Sequence, residues 1–220
     1  MAEGNRSGPL QEIFNMARKE SIPVQRVDRQ RLDKFAPEAG HQGVVALVAA
    51  REYVEVMDIL QAVPPGEAPL LMLLDEIHDP HNLGAILRTA GAAGVHGVII
   101  PRRRSAPLTQ AVARSSAGAI EYVPVARVAN LAMTMEDLKK KGLWIAGADP
   151  GGRELYWDAR LEGPLALVIG GEDKGLGRLV KEKCDILVRF PMQGRINSLN
   201  ASVAAALFAY EVLRQRRGTR

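Results

Sequence analysis

Phe190–Arg217 reads FPMQGRINSLNASVAAALFAYEVLRQRR. It opens on a tight polar loop, Met192–Asn197, and passes into a long amphipathic helix. Asn197 or Ser198 is placed to cap the first turn, where a short side-chain oxygen accepts an otherwise unpaired amide. Leu199, Val203, Leu207, Tyr210 and Leu213 recur at helical spacing. Ala204, Ala205, Ala206 and Ala209 allow close backbone approach. Arg214, Arg216 and Arg217 close the helix where its dipole favours cations. A helix start beside a glycine-bearing loop offers amides and hydroxyls to a ligand. A capped packing helix has the same pattern, so this stretch alone leaves both readings open.

Working back from it, the chain alternates strands and helices from Leu70 onward. The apolar runs Leu70–Leu74, Gly97–Ile100, Tyr122–Val125, Leu143–Ala148, Leu165–Ile169 and Ile186–Phe190 read as strands. Asn82–Ala93, Leu108–Ser115, Ala129–Lys141 and Leu176–Lys183 read as the helices between them. This alternation predicts an α/β fold with a mostly parallel sheet covered on both faces. Ligands in such sheets sit beyond the carboxyl ends of the strands.

The region before Leu70 has a different texture. Residues 1–50 read as a small α/β module: a polar Met1–Gly8 expected to be disordered, helices at Leu10–Glu20 and Arg29–Phe35, and strands at Ile22–Val27 and Val44–Ala49. Residues 51–69, rich in Glu, Pro and Gly from Val63, read as a linker with a short helix at Val54–Ala62. Residues 70–220 then form the main domain.

The chain has 220 residues and 47% hydrophobic, 25% charged and 5% aromatic content, an ordinary globular profile. Cys184 is its single cysteine, so an intrachain disulfide is excluded. No signal peptide and no apolar run long enough for a bilayer is evident, so a cytoplasmic protein is expected. The net charge of +4 and pI near 9.4 suit an anionic partner, with RNA or DNA the first candidates.

Three strand-to-helix junctions carry the chemistry. The first, Leu74–Arg88, places Asn82 at a helix start, where Asn is a favoured cap, and Arg88 nearly two turns on. Its His78, Asp79 and His81 match no zinc spacing, and no metal is expected. The second, Leu167–Gly177, sets glycines around Glu172, Asp173 and Lys174 directly after a strand. It is neither G-x-G-x-x-G nor a P-loop, so a nucleotide-phosphate site is not indicated. Its glycines suggest close backbone approach, and Glu172 is equally suited to capping the next helix. The third is the opening stretch.

Together, N-L-G-A-I-L-R at Asn82–Arg88, I-G-G-E-D-K-G-L at Ile169–Leu176 and P-M-x-G-x-x-x-S-L-N-x-S-V-A at Pro191–Ala204 resemble the SPOUT-class, TrmH-like RNA ribose 2′-O-methyltransferases. His41–Ala46 and Asp79–Asn82 extend the likeness toward the branch that methylates a guanosine of 23S ribosomal RNA. The resemblance implies a deep C-terminal trefoil knot and a homodimer with active sites near its interface. It also implies S-adenosylmethionine held by Gly170, Gly171, Phe190, Met192 and Leu199. By match, Asn82, Arg88, Glu172, Ser198 and Asn200 form the catalytic and substrate-positioning set. The family's N-terminal unit is a small RNA-binding module like ribosomal protein L30e, and the region before His41 looks shortened against it.

Methyl transfer to a ribose hydroxyl needs the hydroxyl aligned and its proton removed, and alignment contributes about 7–11 kcal/mol in favourable systems. Arginine holds its proton far above neutral pH, so Arg88 is expected to steady the developing alkoxide and a neighbouring phosphate rather than act as a base. Asn82 and Asn200 are expected to position the ribose, and Glu172 to hold Arg88 or an amide. Arg102, Arg103 and Arg104 are the expected RNA-phosphate contacts, with the C-terminal arginines beside them. Few exposed aromatics are expected for base stacking. Ribosomal 23S RNA is the favoured partner and transfer RNA the alternative. A catalytically silent assembly factor is a third reading. A nicotinamide-dependent oxidoreductase lacks its glycine fingerprint.

Overall fold

The structure is a computed structural model that describes residues 1–2, 8–36, 40–47, 49, 51–172 and 174–218. The chain divides into two compact units, residues 1–49 and 50–220.

In the first unit, helix α1 spans Gly8–Lys19 and α2 spans Arg29–Phe35, the latter capped by Asp28 accepting the Arg31 amide. His41 is clamped between two partners. Its Nε2 lies 3.0 Å from Asp33 Oδ1, and its Nδ1 accepts the Gly43 amide at 3.0 Å. The strands expected at Ile22–Val27 and Val44–Ala49 do not form among the described residues; a single Ala2–Val27 bridge stands in their place. Pro23 cannot donate to a ladder, which accounts for the first. Most of the Met1–Gly8 stretch expected to be disordered lies outside the described residues.

The second unit is a seven-stranded, wholly parallel sheet. Its strands are β1 (Leu70–Asp75), β2 (Gly97–Pro101), β3 (Val125–Val128), β4 (Trp144–Ala148), β5 (Glu154–Leu155), β6 (Leu165–Gly170) and β7 (Ile186–Arg189). Their order is β3-β2-β1-β6-β4-β7-β5. The buried strands carry unbroken apolar runs because both faces are covered. Leu70, Met72 and Leu74 face one core, and Leu71 and Leu73 face the other. The first face is covered by α4 (Pro80–Ala93), α5 (Gln110–Ser115) and α8 (Ala201–Gly218), through Ile86, Val112 and Phe208. The second is covered by α3 (Val56–Gln61), α6 (Leu131–Lys140) and α7 (Arg178–Lys183), through Ile59, Met135 and Val180.

Several element boundaries shift. The segment expected as a linker holds α3, whose Ile59 is 1% exposed and lies where a Cβ on Gly97 would stand. The strand expected at Tyr122–Val125 starts only at Val125. Residues Ala119–Glu121 take a 3-10 turn after Gly118, which has a φ of 87°. Strand β5 had no sequence signal. Cys184 is partly buried, and desolvation pushes its thiol up to about 12. Among the described residues no helix is long and apolar enough to cross a membrane.

Candidate active site

The sheet's order reverses between β1 and β6, which pair in register from Leu70–Leu165 to Asp75–Gly170. Their carboxyl ends open side by side, the place where open α/β sheets hold ligands. The loop after β1 leads into α4, the stretch after β6 carries Glu172, and the residues after β7 lead into α8.

Helix α4 is capped by Asp79, whose Oδ1 accepts the His81 amide at 2.9 Å, and Pro80 occupies the first turn. The expectation that Asn82 caps this helix is therefore corrected. Asn82 lies inside the helix, 9% exposed, and aims its amide at Glu172. Gly84 has a local reason. A Cβ there would overlap Ser115 of α5, whose hydroxyl bonds the Pro80 carbonyl at 3.2 Å, so glycine lets the two helices close.

Helix α8 starts at Ala201, and its cap is Asn200, not Asn197 or Ser198. Asn200 Oδ1 accepts the Ser202 amide at 2.9 Å and the Ser202 hydroxyl at 2.6 Å. Its Nδ2 donates to Asn82 Oδ1 at 3.0 Å and to Glu172 Oε1 at 2.6 Å. Asn82 Nδ2 donates to the same Glu172 oxygen at 2.6 Å. Three chain segments thus meet in one cluster of Asn82, Glu172 and Asn200. Glu172 does not cap α7, whose N-terminal Gly177 has no side-chain cap.

Two cavities flank this cluster. The smaller, about 210 Å³, is lined by Glu76, Asp79, Asn82, Glu172 and Lys174, with His78 and the Gly171 and Gly175 backbone. The larger, about 970 Å³, is walled by Gly170, Gly171, Glu172, Phe190, Met192, Ser198 and Leu199, and also by Asp149 and Lys181. All five residues expected to hold the cofactor line the larger one. Gly170 and Gly171 have no room for a side chain. The first abuts the Gly175 backbone, and a Cβ on the second would lie 2.5 Å from the Glu76 carbonyl oxygen. Phe190 is braced by Tyr156 and Phe208, with ring centroids at 4.8 and 6.2 Å. Sequence reasoning missed Asp149 and Lys181, which pair at 2.6 Å. The one signal was an Asp at the end of an apolar strand.

Arg88 does not join the cluster. It is exposed on α4 and makes no ion pair among the described residues. Asp173 lies outside the described residues. Arg102, Arg103 and Arg104 are exposed beyond β2, but Arg104 is engaged, donating to Glu76 Oε1 at 2.8 Å. That hydrogen bond holds the Glu76 carboxyl below the usual carboxylate range. Of the C-terminal arginines, Arg217 is exposed and the other two are engaged within the chain. Arg216 donates to the carbonyls of Ala68, Pro69 and Gly163, and Arg214 pairs with Glu211. Exposed aromatics are also more numerous than expected: Tyr122 is 83% exposed, and Trp144, Trp157 and Tyr210 are exposed too. Among the described residues no group of His, Cys, Asp and Glu could hold a metal ion.

Comparison with known proteins gives a consistent set. Residues 69–210 match the SpoU rRNA Methylase family, and residues 1–54 match the family described as RNA 2'-O ribose methyltransferase substrate binding. A Bacillus subtilis (strain 168) protein named as a TrmH family tRNA/rRNA methyltransferase, YacO, is 52% identical over 98% of this chain and 87% of its own. The SpoU methyltransferase AviRb from Streptomyces viridochromogenes, in complex with the cofactor AdoMet, is similar at a TM-score of 0.74 and 26% identity, over 97% of this chain and 80% of that one. The AdoMet-bound rRNA methyltransferase from Sinorhizobium meliloti is similar at a TM-score of 0.79 and 25% identity, over 93% and 77%.

Proposed function

Since this chain belongs to the SpoU rRNA methylase family and is an S-adenosylmethionine-dependent RNA methyltransferase, we propose that it methylates the ribose 2′-hydroxyl of a guanosine in 23S ribosomal RNA. The Asn82–Glu172–Asn200 cluster standing between a large and a small cavity carries the methyl-transfer part of this reading, and the choice of a 23S guanosine rests on the likeness of His41–Ala46 and Asp79–Asn82 to that branch.

The larger cavity fits the methyl donor. Its volume of about 970 Å³ lies within the range of roughly 300–1,000 Å³ usual for small-molecule sites. Gly170, Gly171, Phe190, Met192 and Leu199 would hold it. S-adenosylmethionine supplies a methyl group on a sulfonium, already a good leaving group. The smaller cavity then receives the acceptor ribose.

The protein's own share is alignment and charge. Asn82 and Asn200 both donate to Glu172 Oε1, so their amides fix this carboxylate rather than reach the ribose directly. Glu172 Oε2, which makes no hydrogen bond among the described residues, is the atom we assign to receive the 2′-hydroxyl hydrogen bond. Ser198, at the cavity wall, lies on the donor side. Arg88 is assigned the developing alkoxide and an adjacent phosphate, which it meets once RNA is bound. Arg102 and Arg103 contact phosphates farther out. Residues 1–50 serve as the RNA-binding module and 70–220 as the transfer domain. The match of residues 1–54 to a substrate-binding family supports that division.

The α8 surface supports a homodimer. Val203, Leu207 and Tyr210 are 46%, 39% and 49% exposed along one stripe that starts beside Asn200. A second copy seated there would border the acceptor cluster.

The test is labelled-methyl transfer from S-adenosylmethionine to unmodified ribosomal RNA and unmodified transfer RNA, offered separately, with the modified nucleotide mapped. Label at one 23S guanosine is the expected result. Arg88→Ala should cut kcat by about 100-fold or more, the usual scale for removing one transition-state charge contact. Arg103→Ala should raise the KM for RNA and spare kcat, and removing residues 1–49 should abolish transfer while cofactor binding persists. Label confined to transfer RNA would overturn the substrate, and an unimpaired Arg88→Ala would overturn that residue's role.

A further inference from the structure

Asp75 ends β1 and touches neither cavity, yet it holds both ends of the stretch that carries Glu172. Its main-chain carbonyl accepts the Gly171 amide at 2.8 Å. Its side-chain Oδ2 accepts the Gly177 amide at 2.7 Å. Between those points the Gly175 amide closes back onto the Gly171 carbonyl at 2.9 Å. The fit leaves little slack: a Cβ on Gly171 would stand 2.5 Å from the Glu76 carbonyl oxygen, and one on Gly177 3.2 Å from Asp75 Oδ2.

The carboxyl is an unusual element of a strand otherwise made of Leu and Met. The residue is 8% exposed, and burial pushes its pKa up while the Gly177 amide pulls it down. A buried acid is costly unless it is hydrogen-bonded, and an apolar residue would fill the position without that cost. What the acid does is close a bond from the end of one central strand to the far end of the Glu172 stretch.

We propose that Asp75 is a positioning residue for methyl transfer: by bonding Gly171 and Gly177 it sets where Glu172 stands against Asn82 and Asn200. The proposal rests on the methyltransferase reading above. Asp75 lines neither cavity, so its removal acts only through the Glu172 stretch, one wall of both cavities, and leaves their other walls in place.

The experiment compares Asp75→Ala and Asp75→Asn in the full chain, by steady-state methyl transfer and by amide hydrogen exchange without RNA or cofactor. Asp75→Ala should lower kcat about 10- to 100-fold, the cost of a misplaced group near the chemistry, with the KM for RNA and for S-adenosylmethionine within about threefold of wild type. Gly177 should lose its exchange protection while Leu73 and Ile99 in the sheet keep theirs. Asp75→Asn, which still offers an oxygen to Gly177, should restore most of kcat. Gly177→Pro is the second route if Asp75→Ala does not fold. Gly177 has a φ of −61°, which proline adopts; the change deletes the donor and also sets ring carbons against Asp75 Oδ2, so it should reproduce the kcat loss. Unchanged kcat in Asp75→Ala or Gly177→Pro overturns the proposal, as does equal loss in kcat and both binding constants. Absence of transfer by wild type would instead sink the methyltransferase reading, while the exchange result would still report on the Asp75 bonds.

Discussion

Asn200 serves two structures with one side chain. Its oxygen caps α8 through Ser202, and its nitrogen holds Glu172 and Asn82. An amide is the group that can do both, because it presents an acceptor and two donors at once. Asn200→Ala should therefore cost about 0.5–2 kcal/mol as a lost cap and also free Glu172. Asn200→Asp is the informative partner. It keeps the acceptor for Ser202, so thermal stability should recover toward wild type. It also sets a carboxylate beside Glu172 Oε1, so methyl transfer should stay low. Thermal unfolding and single-turnover transfer on both variants check this. Recovery of transfer in Asn200→Asp would mean the Asn200–Glu172 bond is dispensable.

Helix α8 shows how an amphipathic pattern misleads at the scale of an element. The stripe Val203, Leu207, Tyr210 has the spacing of a buried face, yet it points to solvent. The buried face is Ala201, Ala205, Phe208, Ala209 and Val212, packed on the sheet and α4. Small residues dominate there because α4 packs closely: three alanines stand beside Phe208 and Val212. Two apolar faces on one helix leave one without a partner in a single chain, and an exposed apolar patch marks an interaction site. Leu207→Glu should convert a dimer to monomer in sedimentation or light scattering and leave the fold intact by circular dichroism. A wild-type monomer at micromolar concentration would end the dimer proposal.

For the whole molecule, the sheet order places β4, β7 and β5 beyond β6, so the chain returns repeatedly to one edge before α8 crosses back to α4. We propose that the C-terminal part of this path closes as a deep trefoil knot, which connection rules alone would not suggest. Pulling the two termini apart in a single-molecule experiment should give an unfolded contour length short of the full extended chain, because a tightened knot retains residues. Full extension would show an unknotted path.

The amino-acid sequence alone carried the alternation of strands and helices after Leu70, the parallel sheet and the three loops that hold the chemistry. Each of these is local: an unbroken apolar run, a helical period, a glycine beside a polar residue. It also grouped Asn82, Glu172 and Asn200 as partners, though only through likeness to a family, since nothing in spacing joins residues so far apart. Tertiary structure decided the rest. It turned Asn82 from a helix cap into a buried member of the cluster, because Asp79 already caps α4. It left Arg88 outside the cluster and tied Arg216 to backbone carbonyls. It absorbed the expected linker into the core through Ile59. It gave Asp75, an unremarked residue at a strand end, both ends of the Glu172 stretch. Contacts such as these depend on which strand lies beside which, and that is settled by the packing of the whole sheet rather than by any window of residues.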